Sequence, residues 1–167
     1  FMIFKKNFKI GNKFIGKDHR SIIIAEISAN HNKNFNTIKR LIKSAKKSGA
    51  DLIKIQTYTA ETLTINSKKK DFLIKKNNSW SKDKYLWNLY KKAETSKSLT
   101  SKIFNYSRSI GIDVFSSPFD IDAVNFLEKL RCPAYKIASP EINHIPLIER
   151  VAETKKPIIL SLGLSNI

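Results

Sequence analysis

The sequence predicts an α/β fold built on a parallel sheet, and three observations lead to this prediction. Five short apolar runs are continuous rather than alternating, which is typical of strands buried on both faces. Between these runs the apolar residues recur with helical spacing. Small or polar residues follow each run, so strands and helices alternate along the chain. Such alternation builds right-handed βαβ units, which make neighbouring strands parallel.

The strands are predicted in chain order from these runs. Residues 2 to 15 alternate around Gly11-Asn12 and predict a β-hairpin across one end of the sheet. The polar, Lys-rich stretch from Thr57 to Lys84 predicts a long loop after the second sheet strand. The five sheet strands are predicted at Ile22 to Ala25, Leu52 to Ile55, Ile112 to Phe115, Ala134 to Ala138 and Ile158 to Leu160.

Four principal helices are predicted between the strands. One apolar stripe begins at Ile38 and stops at Gly49, and a second runs from Leu99 to Gly111. Asp120 is a good N-cap for a third helix. Pro146 suits the first turn of a fourth, which Lys155-Lys156-Pro157 ends.

Two architectures accept five parallel strands with helices between them. One is an open doubly wound sheet, and the other is part of a closed (β/α)8 barrel. No strand is followed by G-x-G-x-x-G or G-x-x-x-x-G-K, so the sequence gives no sign of a dinucleotide site or a P-loop. This speaks against the first architecture.

Composition limits the class of protein. The 167 residues fit one domain, and 41% hydrophobic content is too high for a disordered tail. The apolar runs are shorter than the roughly 20 residues of a membrane helix. The net charge of +17 comes mostly from Lys spread along the chain, with few of the Arg forks that nucleic-acid recognition favours. The lone Cys132 excludes an intrachain disulfide and fits a small apolar role in a reduced cytoplasm.

Two lysines inside apolar strands are the unusual feature. Lys54 lies between isoleucines, and Lys136 lies between Tyr135 and Ile137. A buried ammonium is costly without an anion, so the two lysines predict a phosphate or carboxylate site at the carboxyl ends of the strands. The alternative pairs Lys54 with Glu26 and Lys136 with Glu141 as structural ion pairs, and the two interpretations can coexist. Hydroxyl groups at the strand ends would add hydrogen bonds to the anion: Ser117, Ser139 and Ser161.

Other candidate residues have less specific patterns. Glu26 could be a general base, an acceptor for a substrate hydroxyl or the partner of a strand lysine. His31, flanked by two Asn, could contact substrate or orient its turn, and one isolated histidine is poor evidence for a metal. His144 belongs to a helix N-cap region. Four aromatic residues are expected to pack against the protein rather than stack on a ligand: Trp80, Tyr85, Trp87 and Tyr90.

Four motifs together resemble a known family. They are Ala25-Glu26-Ile27-Ser28-Ala29-Asn30-His31, Ile53-Lys54-Ile55-Gln56-Thr57-Tyr58, Ser116-Ser117-Pro118-Phe119 and Tyr135-Lys136-Ile137-Ala138-Ser139. In this order the chain resembles the sialic acid synthase family from about Ile22 to Gly163. Ser-Ala-Asn-His and Ile-Gln-Thr-Tyr are more similar to its pseudaminic acid branch than to its N-acetylneuraminate branch. Leu162 and Pro140 depart from the residues usual in the family.

The resemblance implies a (β/α)8 barrel that condenses phosphoenolpyruvate with an amino-sugar aldehyde, here 2,4-diacetamido-2,4,6-trideoxy-altrose. The products are a nine-carbon 2-keto acid, pseudaminic acid, and phosphate. An N-acetylneuraminate or legionaminate synthase is the alternative within the family. Carried over by motif, Glu26 is catalytic. Phosphoenolpyruvate binding is implied for Lys54, Ser117, Lys136, Ser139 and Ser161, and sugar binding for Asn30, His31, Gln56 and Glu141.

The resemblance also implies partners and extent. A divalent metal, Mn or Mg, is expected for the full-length enzyme with its ligands outside this chain. The expected partners are the two small-molecule substrates, with no nucleic acid or membrane, and the full-length form is expected to be a cytoplasmic homodimer. We expect residues 1–167 to be the N-terminal portion of the barrel, truncated to about the first five strands and nearly inactive alone. A non-catalytic half-barrel that binds an anionic ligand or a partner chain is the alternative.

Overall fold

The first described element is a β-hairpin. A computed structural model describes residues 7–163. Strand β1 (Asn7–Ile10) pairs antiparallel with β2 (Lys13–Gly16), and Gly11 turns between them with φ +57°. The predicted hairpin is confirmed for this part, and residues 2–6 of that prediction lie outside the described residues.

In the described part of the chain, five parallel strands form the main sheet. They are β3 (Ile24–Glu26), β4 (Leu52–Thr57), β5 (Asp113–Pro118), β6 (Tyr135–Ile137) and β7 (Ile158–Leu160). Their order in the sheet is their order in the chain. A doubly wound sheet reverses its strand order at a switch point, whereas a (β/α)8 barrel keeps chain order. The topology therefore confirms the barrel-type prediction, with β3 beginning two residues later than predicted and β5 extending to Pro118.

Within residues 7–163, six α-helices connect or flank the strands. They are α1 (Phe35–Lys47), α2 (Ala60–Leu63), α3 (Leu86–Ala93), α4 (Lys97–Ser109), α5 (Ile121–Lys129) and α6 (Ile145–Glu153). The four predicted helices are α1, α4, α5 and α6. The predicted loop after β4 contains α2 and two 3-10 turns, and the unpredicted α3 follows it. No helix among residues 7–163 is long and apolar enough to cross a membrane.

The helix starts follow the capping expectations. The Asn34 side chain accepts from two backbone N–H groups in the first turn of α1. The Asp120 carboxylate accepts from the Ala123 N–H at 2.7 Å, which confirms it as the N-cap of α5. Pro146 lies in the first turn of α6, where its missing N–H costs nothing. These caps set where each helix begins after its strand-end loop.

The core fills the layer between sheet and helices. Cys132 is fully buried there, and burial raises the pKa of its thiol to about 12, as expected for a small apolar residue. Further fully buried residues on this side of the sheet are Ile38, Ile42, Ile53, Val124, Leu127, Tyr135, Ile137, Leu147 and Val151, whereas Leu52 and Phe115 are fully buried on the opposite face of the sheet.

The hairpin covers the amino ends of the strands. Ile10 is 1% exposed within the core, and the Asn12 N–H donates to the Asp113 carboxylate at 3.2 Å. A Cβ on Gly11 would lie 2.1 Å from that same carboxylate, so the turn needs both the positive φ and the absent side chain. With this end of the sheet covered, the carboxyl ends of the strands remain as the place for a site.

The buried carboxylate of Asp51 anchors the segment between the hairpin and β3. Asp51 accepts from the Arg20 guanidinium and from the Ile23 N–H at 2.9 Å, and Lys13 lies 3.2 Å from the same carboxylate. These donors hold the pKa of Asp51 well below its ordinary range, with Arg20 contributing most. The contacts join β2 and β3 to the turn that precedes β4.

Candidate active site

The strand register assigns side chains to the two faces of the sheet. The Tyr135 hydroxyl donates to Glu128 on α5, so Tyr135 faces the helix layer. Ser116 pairs with Tyr135 across β5 and β6 and lies on that same face. Because successive residues of a strand point to opposite faces, Ser117 and Lys136 lie on the face away from the helices.

The strand register also shows which side chains of β3 and β4 lie on the face away from the helices. Gln56 pairs with Ser117, and Glu26 pairs with Lys54, which is two residues before Gln56 on the same face. With strands about 4.8 Å apart and a rise of about 3.3 Å per residue, the Cα atoms of Lys54 and Lys136 are about 12 Å apart. Two flexible lysine side chains cover such a span when both reach toward a ligand between them.

Lys54 already has a carboxylate partner. Its ammonium lies 3.2 Å from Glu26 Oε1, and its side chain is 6% exposed, whereas that of Glu26 is 57% exposed. The first of the two ion pairs weighed from the sequence is therefore present. The pair meets the need of a buried ammonium for an anion, and it leaves one side of the carboxylate open to solvent.

Lys136 differs from Lys54 in its pairing. It is half-buried, and among residues 7–163 it forms no ion pair, so the second structural pair, with Glu141, is not found there. Glu141 Oε2 is buried and has no hydrogen-bond partner within the same residues. Burial raises the pKa of Glu141, while its own backbone N–H, His144 and Lys136 oppose the rise.

Two buried hydroxyls at the strand ends lack partners as well. Ser117 Oγ at the end of β5 and Ser139 Oγ just after β6 make no hydrogen bond within the described part of the chain. Leaving a buried polar atom unsatisfied costs about 1–3 kcal/mol. Gly163 adjoins this point, because a Cβ added to it would lie 3.0 Å from Ser139 Oγ. The Ser161 N–H donates to Ile137 O at 3.1 Å, which holds Ser161 beside the end of β6.

The neighbouring serine in β5 has a different environment. Ser116 Oγ shares a 2.8 Å hydrogen bond with Thr57 Oγ1 on the helix side of the sheet. The dipeptide Ser116-Ser117 thus contains one satisfied hydroxyl in the core and one unsatisfied hydroxyl on the lysine face. An oxyanion bound on that face would find Ser117, not Ser116, as its donor.

Two of the predicted sugar-binding residues lie next to each other in the loop after β3, and they differ in exposure. Asn30 is exposed, whereas His31 is 2% exposed. The Lys33 N–H donates to His31 Nδ1 at 3.0 Å, and Thr95 Oγ1 lies 3.3 Å from Nε2. Burial and the Lys33 charge lower the pKa of His31. The ring therefore holds the loop against the chain after α3, and its contact with a sugar stays a prediction.

An open cavity of about 810 Å³ lies at the carboxyl ends of the strands. Its lining includes Asn30, Gln56 and Glu141, three of the four predicted sugar-binding residues. The Ser28 hydroxyl donates to Gln56 Oε1 at 2.6 Å, which leaves the amide N–H₂ of Gln56 available as a donor. The cavity is in the size range of small-molecule sites, and it brings together polar groups from the end of β4, the loop after β3 and the turn after β6.

The apolar side of this cavity was not predicted as part of the site. Tyr58 follows β4, and its ring meets Phe119 and Tyr90 edge-on, with centroids 5.4 and 6.2 Å apart. Burial raises the pKa of Tyr58 to about 12, and the charges of Tyr90 and Glu94 act in the same direction. Leu89 on α3 also lines the cavity. The helical spacing of Leu86, Leu89, Tyr90 and Ala93 is the signal that could have identified α3.

The described residues do not fit a metal centre. Residues 7–163 contain no group of three or more His, Cys, Asp or Glu side chains placed to hold one ion. Three protein ligands are the usual minimum for a catalytic zinc site, and most transition-metal sites need a comparable set. The divalent metal expected for the full-length enzyme therefore has no ligand set within residues 7–163.

Relatives are similar to the chain over nearly all of its length. A pseudaminic acid synthase from Helicobacter pylori is 46% identical over 144 residues, which cover 86% of the chain and 42% of that protein. A pseudaminic acid synthase from Campylobacter jejuni subsp. jejuni is 46% identical over 158 residues, which cover 95% of the chain and 45% of that protein. The chain thus spans less than half the length of these two curated relatives.

A solved structure and a family model agree with these relatives. N-acetylneuraminic acid (sialic acid) synthetase from Leptospira borgpetersenii serovar Hardjo-bovis, crystallised in complex with citrate, matches with a TM-score of 0.80 and 30% identity. The match covers 96% of this chain and 50% of that one. The model of the NeuB family matches residues 41–167. With its sequential parallel sheet and this match over most of its length, the chain belongs to the NeuB family.

Proposed function

We propose that the protein condenses phosphoenolpyruvate with 2,4-diacetamido-2,4,6-trideoxy-altrose to give pseudaminic acid and phosphate. The observation that carries the proposal is the pair of strand lysines on one face of the sheet, Lys54 within β4 and Lys136 within β6. Lys54 is buried with a single carboxylate beside it, and Lys136 is half-buried without an ion pair in residues 7–163. The 46% identity to pseudaminic acid synthases favours this sugar over those of the N-acetylneuraminate and legionaminate branches.

Phosphoenolpyruvate fits the lysine face in charge. It carries about three negative charges when fully ionised, and charge-assisted hydrogen bonds from two ammonium groups offset much of that charge. Lys54 and Lys136 take its phosphate and carboxylate. Ser117 and Ser139 give the ligand the hydroxyl donors that otherwise lack partners. Ser161, held beside the end of β6, adds a third hydroxyl.

The sugar occupies the adjoining cavity. Asn30, Gln56 and Glu141 line it and bind the hydroxyl and acetamido groups. C3 of the enol uses the electron pair of its double bond to form the new C–C bond with the aldehyde carbon, which leaves C2 electron-poor, and the aldehyde oxygen takes up a proton from solvent. Water then adds at C2, and Glu26 accepts its proton. Phosphate leaves when its bond to C2 breaks, and the hydroxyl that water left on C2 gives its proton to the departing phosphate, so that its oxygen becomes the keto oxygen of the product.

Several features of the whole protein belong to the proposal because the family resemblance implies them. A divalent metal, Mn or Mg, would be held by residues other than those described here. A homodimer and a cytoplasmic location are expected on the same ground. Residues 1–167 would then supply the first five strands of the barrel and most of the phosphoenolpyruvate site.

Product formation tests the proposal against a non-catalytic half-barrel that only binds the anion. The full protein, expressed from its complete gene, is incubated with phosphoenolpyruvate, Mn²⁺ and the sugar. Mass spectrometry then measures the phosphate and the nine-carbon acid that form. We expect turnover, with a loss of at least 100-fold in Lys54→Met and Lys136→Met. Lys47→Met at the exposed end of α1 is the matched control and should keep full activity. Binding of phosphoenolpyruvate without any product would contradict the proposal.

A further inference from the structure

The 810 Å³ cavity has two chemically different sides. One side is polar and comes from strand ends and the loops just after them, including Asn30, Gln56 and Glu141. The other side is apolar. Leu63 at the end of α2 and Leu89 on α3 contribute to it. The two helices belong to the excursion between β4 and β5, so the apolar side lies beyond the strand ends. We call it the apolar wall, and its members are Tyr58, Leu63, Leu89, Tyr90, Ala93 and Phe119.

Aromatic packing and an anchored helix end fix the shape of the apolar wall. Tyr58 and Phe119 are each 8% exposed, and Tyr58 meets both Phe119 and Tyr90 edge-on. The Ala60 N–H at the start of α2 donates to the Glu94 carboxylate, which follows α3, at 2.9 Å. Because these contacts join the two helices to the residue after β4, the wall is preformed rather than assembled around a ligand.

The charged residues on this side of the cavity do not make it polar. Lys92 and Asp83 both line the cavity, but they pair with each other at 3.3 Å. The Tyr58 hydroxyl is uncharged near neutral pH, and burial raises its pKa further, to about 12. A ligand group that reaches the apolar wall therefore meets mostly carbon.

The orientation of the sugar follows from where the new bond forms. The aldehyde carbon, C1, must meet the enol held by Lys54 and Lys136 at the strand ends. The polar side of the cavity comes next and suits the acetamido and hydroxyl groups. C6, at the other end of the open sugar chain, then extends farthest from the strands, toward α2 and α3.

We propose that the apolar wall formed around Leu63 and Leu89 selects a sugar that ends in a methyl group at C6 over one that ends in a hydroxymethyl group. This inference rests on the proposed function. A methyl group buries well against the two leucines, whereas an added hydroxyl would lose its water without gaining a partner. An apolar pocket discriminates such pairs by about 10- to 200-fold in kcat/KM.

Steady-state kinetics with two sugars test the inference. The full protein, expressed from its complete gene, is assayed with 2,4-diacetamido-2,4,6-trideoxy-altrose and, separately, with the counterpart that carries a hydroxyl at C6. We expect at least a 10-fold preference in kcat/KM for the methyl sugar. Leu63→Asn and Leu89→Asn should each reduce this preference at least threefold and leave KM for phosphoenolpyruvate unchanged. Ile65→Asn is the control, because Ile65 is 68% exposed and does not line the cavity.

The outcomes separate this inference from the proposed function. Equal kcat/KM for both sugars in the unsubstituted protein would overturn the inference, whether or not the variants fold. An undiminished preference in both folded leucine variants would overturn it as well. In both results product still forms, so the proposed condensation stands. No product from either sugar would instead contradict the proposed function itself.

Discussion

The ammonium of Lys54 lies 3.2 Å from the carboxylate of Glu26, and the two partners differ sharply in exposure. The lysine is enclosed between β3 and β5, while more than half of the glutamate side chain faces solvent. Glu26 therefore serves as the anion that lets a lysine be buried in a strand. A second anion brought to Lys54 can share or replace that role, since the glutamate is free to turn toward water.

Glu26→Gln should lower the free energy of unfolding by about 1–2 kcal/mol, less than for a fully buried pair because water screens the exposed glutamate. Phosphoenolpyruvate should then raise the melting temperature of the variant more than that of the unsubstituted chain, because the ligand replaces the missing charge. Thermal unfolding with and without the ligand measures both effects. Glu61→Gln removes an exposed glutamate paired with the exposed Lys91 and should change the free energy of unfolding far less than Glu26→Gln does, because water screens both partners. Equal losses in the two variants would contradict the account.

The strands could be predicted from the sequence because each buries both faces. Ile53 and Ile55 lie beside Lys54 in a continuous apolar run that no helix period explains. The sequence left open whether Glu26 is the ion-pair partner of Lys54, and the strand register answered this question. It placed Glu26 beside Lys54, where the two form an ion pair, and the anion site that we propose would include the same lysine.

The cavity could not be predicted because its walls are distant in the chain. The residues that line the cavity come from four separate loops or helices, for example Leu63, Leu89, Phe119 and Glu141. Local sequence patterns do not indicate that such distant residues line one cavity. Helix α3 was missed for another reason. Its apolar stripe is short, and it follows a long Lys-rich stretch whose composition indicates a solvated loop.

Glu141 should make the stability of the chain fall as pH rises above the ordinary carboxyl range. Burial raises its pKa in the folded state, so between the unfolded and folded values the folded chain binds more protons than the unfolded one. Rising pH in that window therefore favours unfolding. Glu141→Gln removes this titration, and its stability relative to the unsubstituted chain should increase with pH. Urea unfolding from about pH 4 to 7 measures the difference, and a constant difference across that range would refute the prediction.

Asp51→Asn should destabilise the chain by about 1–3 kcal/mol at neutral pH, because the buried carboxylate accepts from Arg20 and from the Ile23 N–H. The pKa of Asp51 is depressed in the folded state. Its contribution is therefore present above the unfolded pKa and is lost as pH falls through the acid range. Urea unfolding of the variant and the unsubstituted chain should thus converge at low pH. Asp71→Asn, at an exposed position, is the control, and a gap that persists in acid would count against the prediction.

Cys132 should resist thiol reagents while the chain is folded. It is fully buried, and its pKa is raised to about 12, so both access and the reactive thiolate are lacking near neutral pH. Iodoacetamide followed by mass spectrometry should show little labelling in buffer and one label in denaturant. Stoichiometric labelling of the folded chain would show that the core around Cys132 opens readily.

The most direct test of the account is the affinity of the chain for phosphoenolpyruvate, measured by isothermal titration calorimetry with Lys54→Met, Lys136→Met and the control Lys47→Met. If both strand lysines hold one ligand, the unsubstituted chain binds a single equivalent. Each strand-lysine variant then binds at least tenfold more weakly, and the control binds unchanged. Unaltered affinity in both strand-lysine variants, with the chain still folded by circular dichroism, would contradict the central claim.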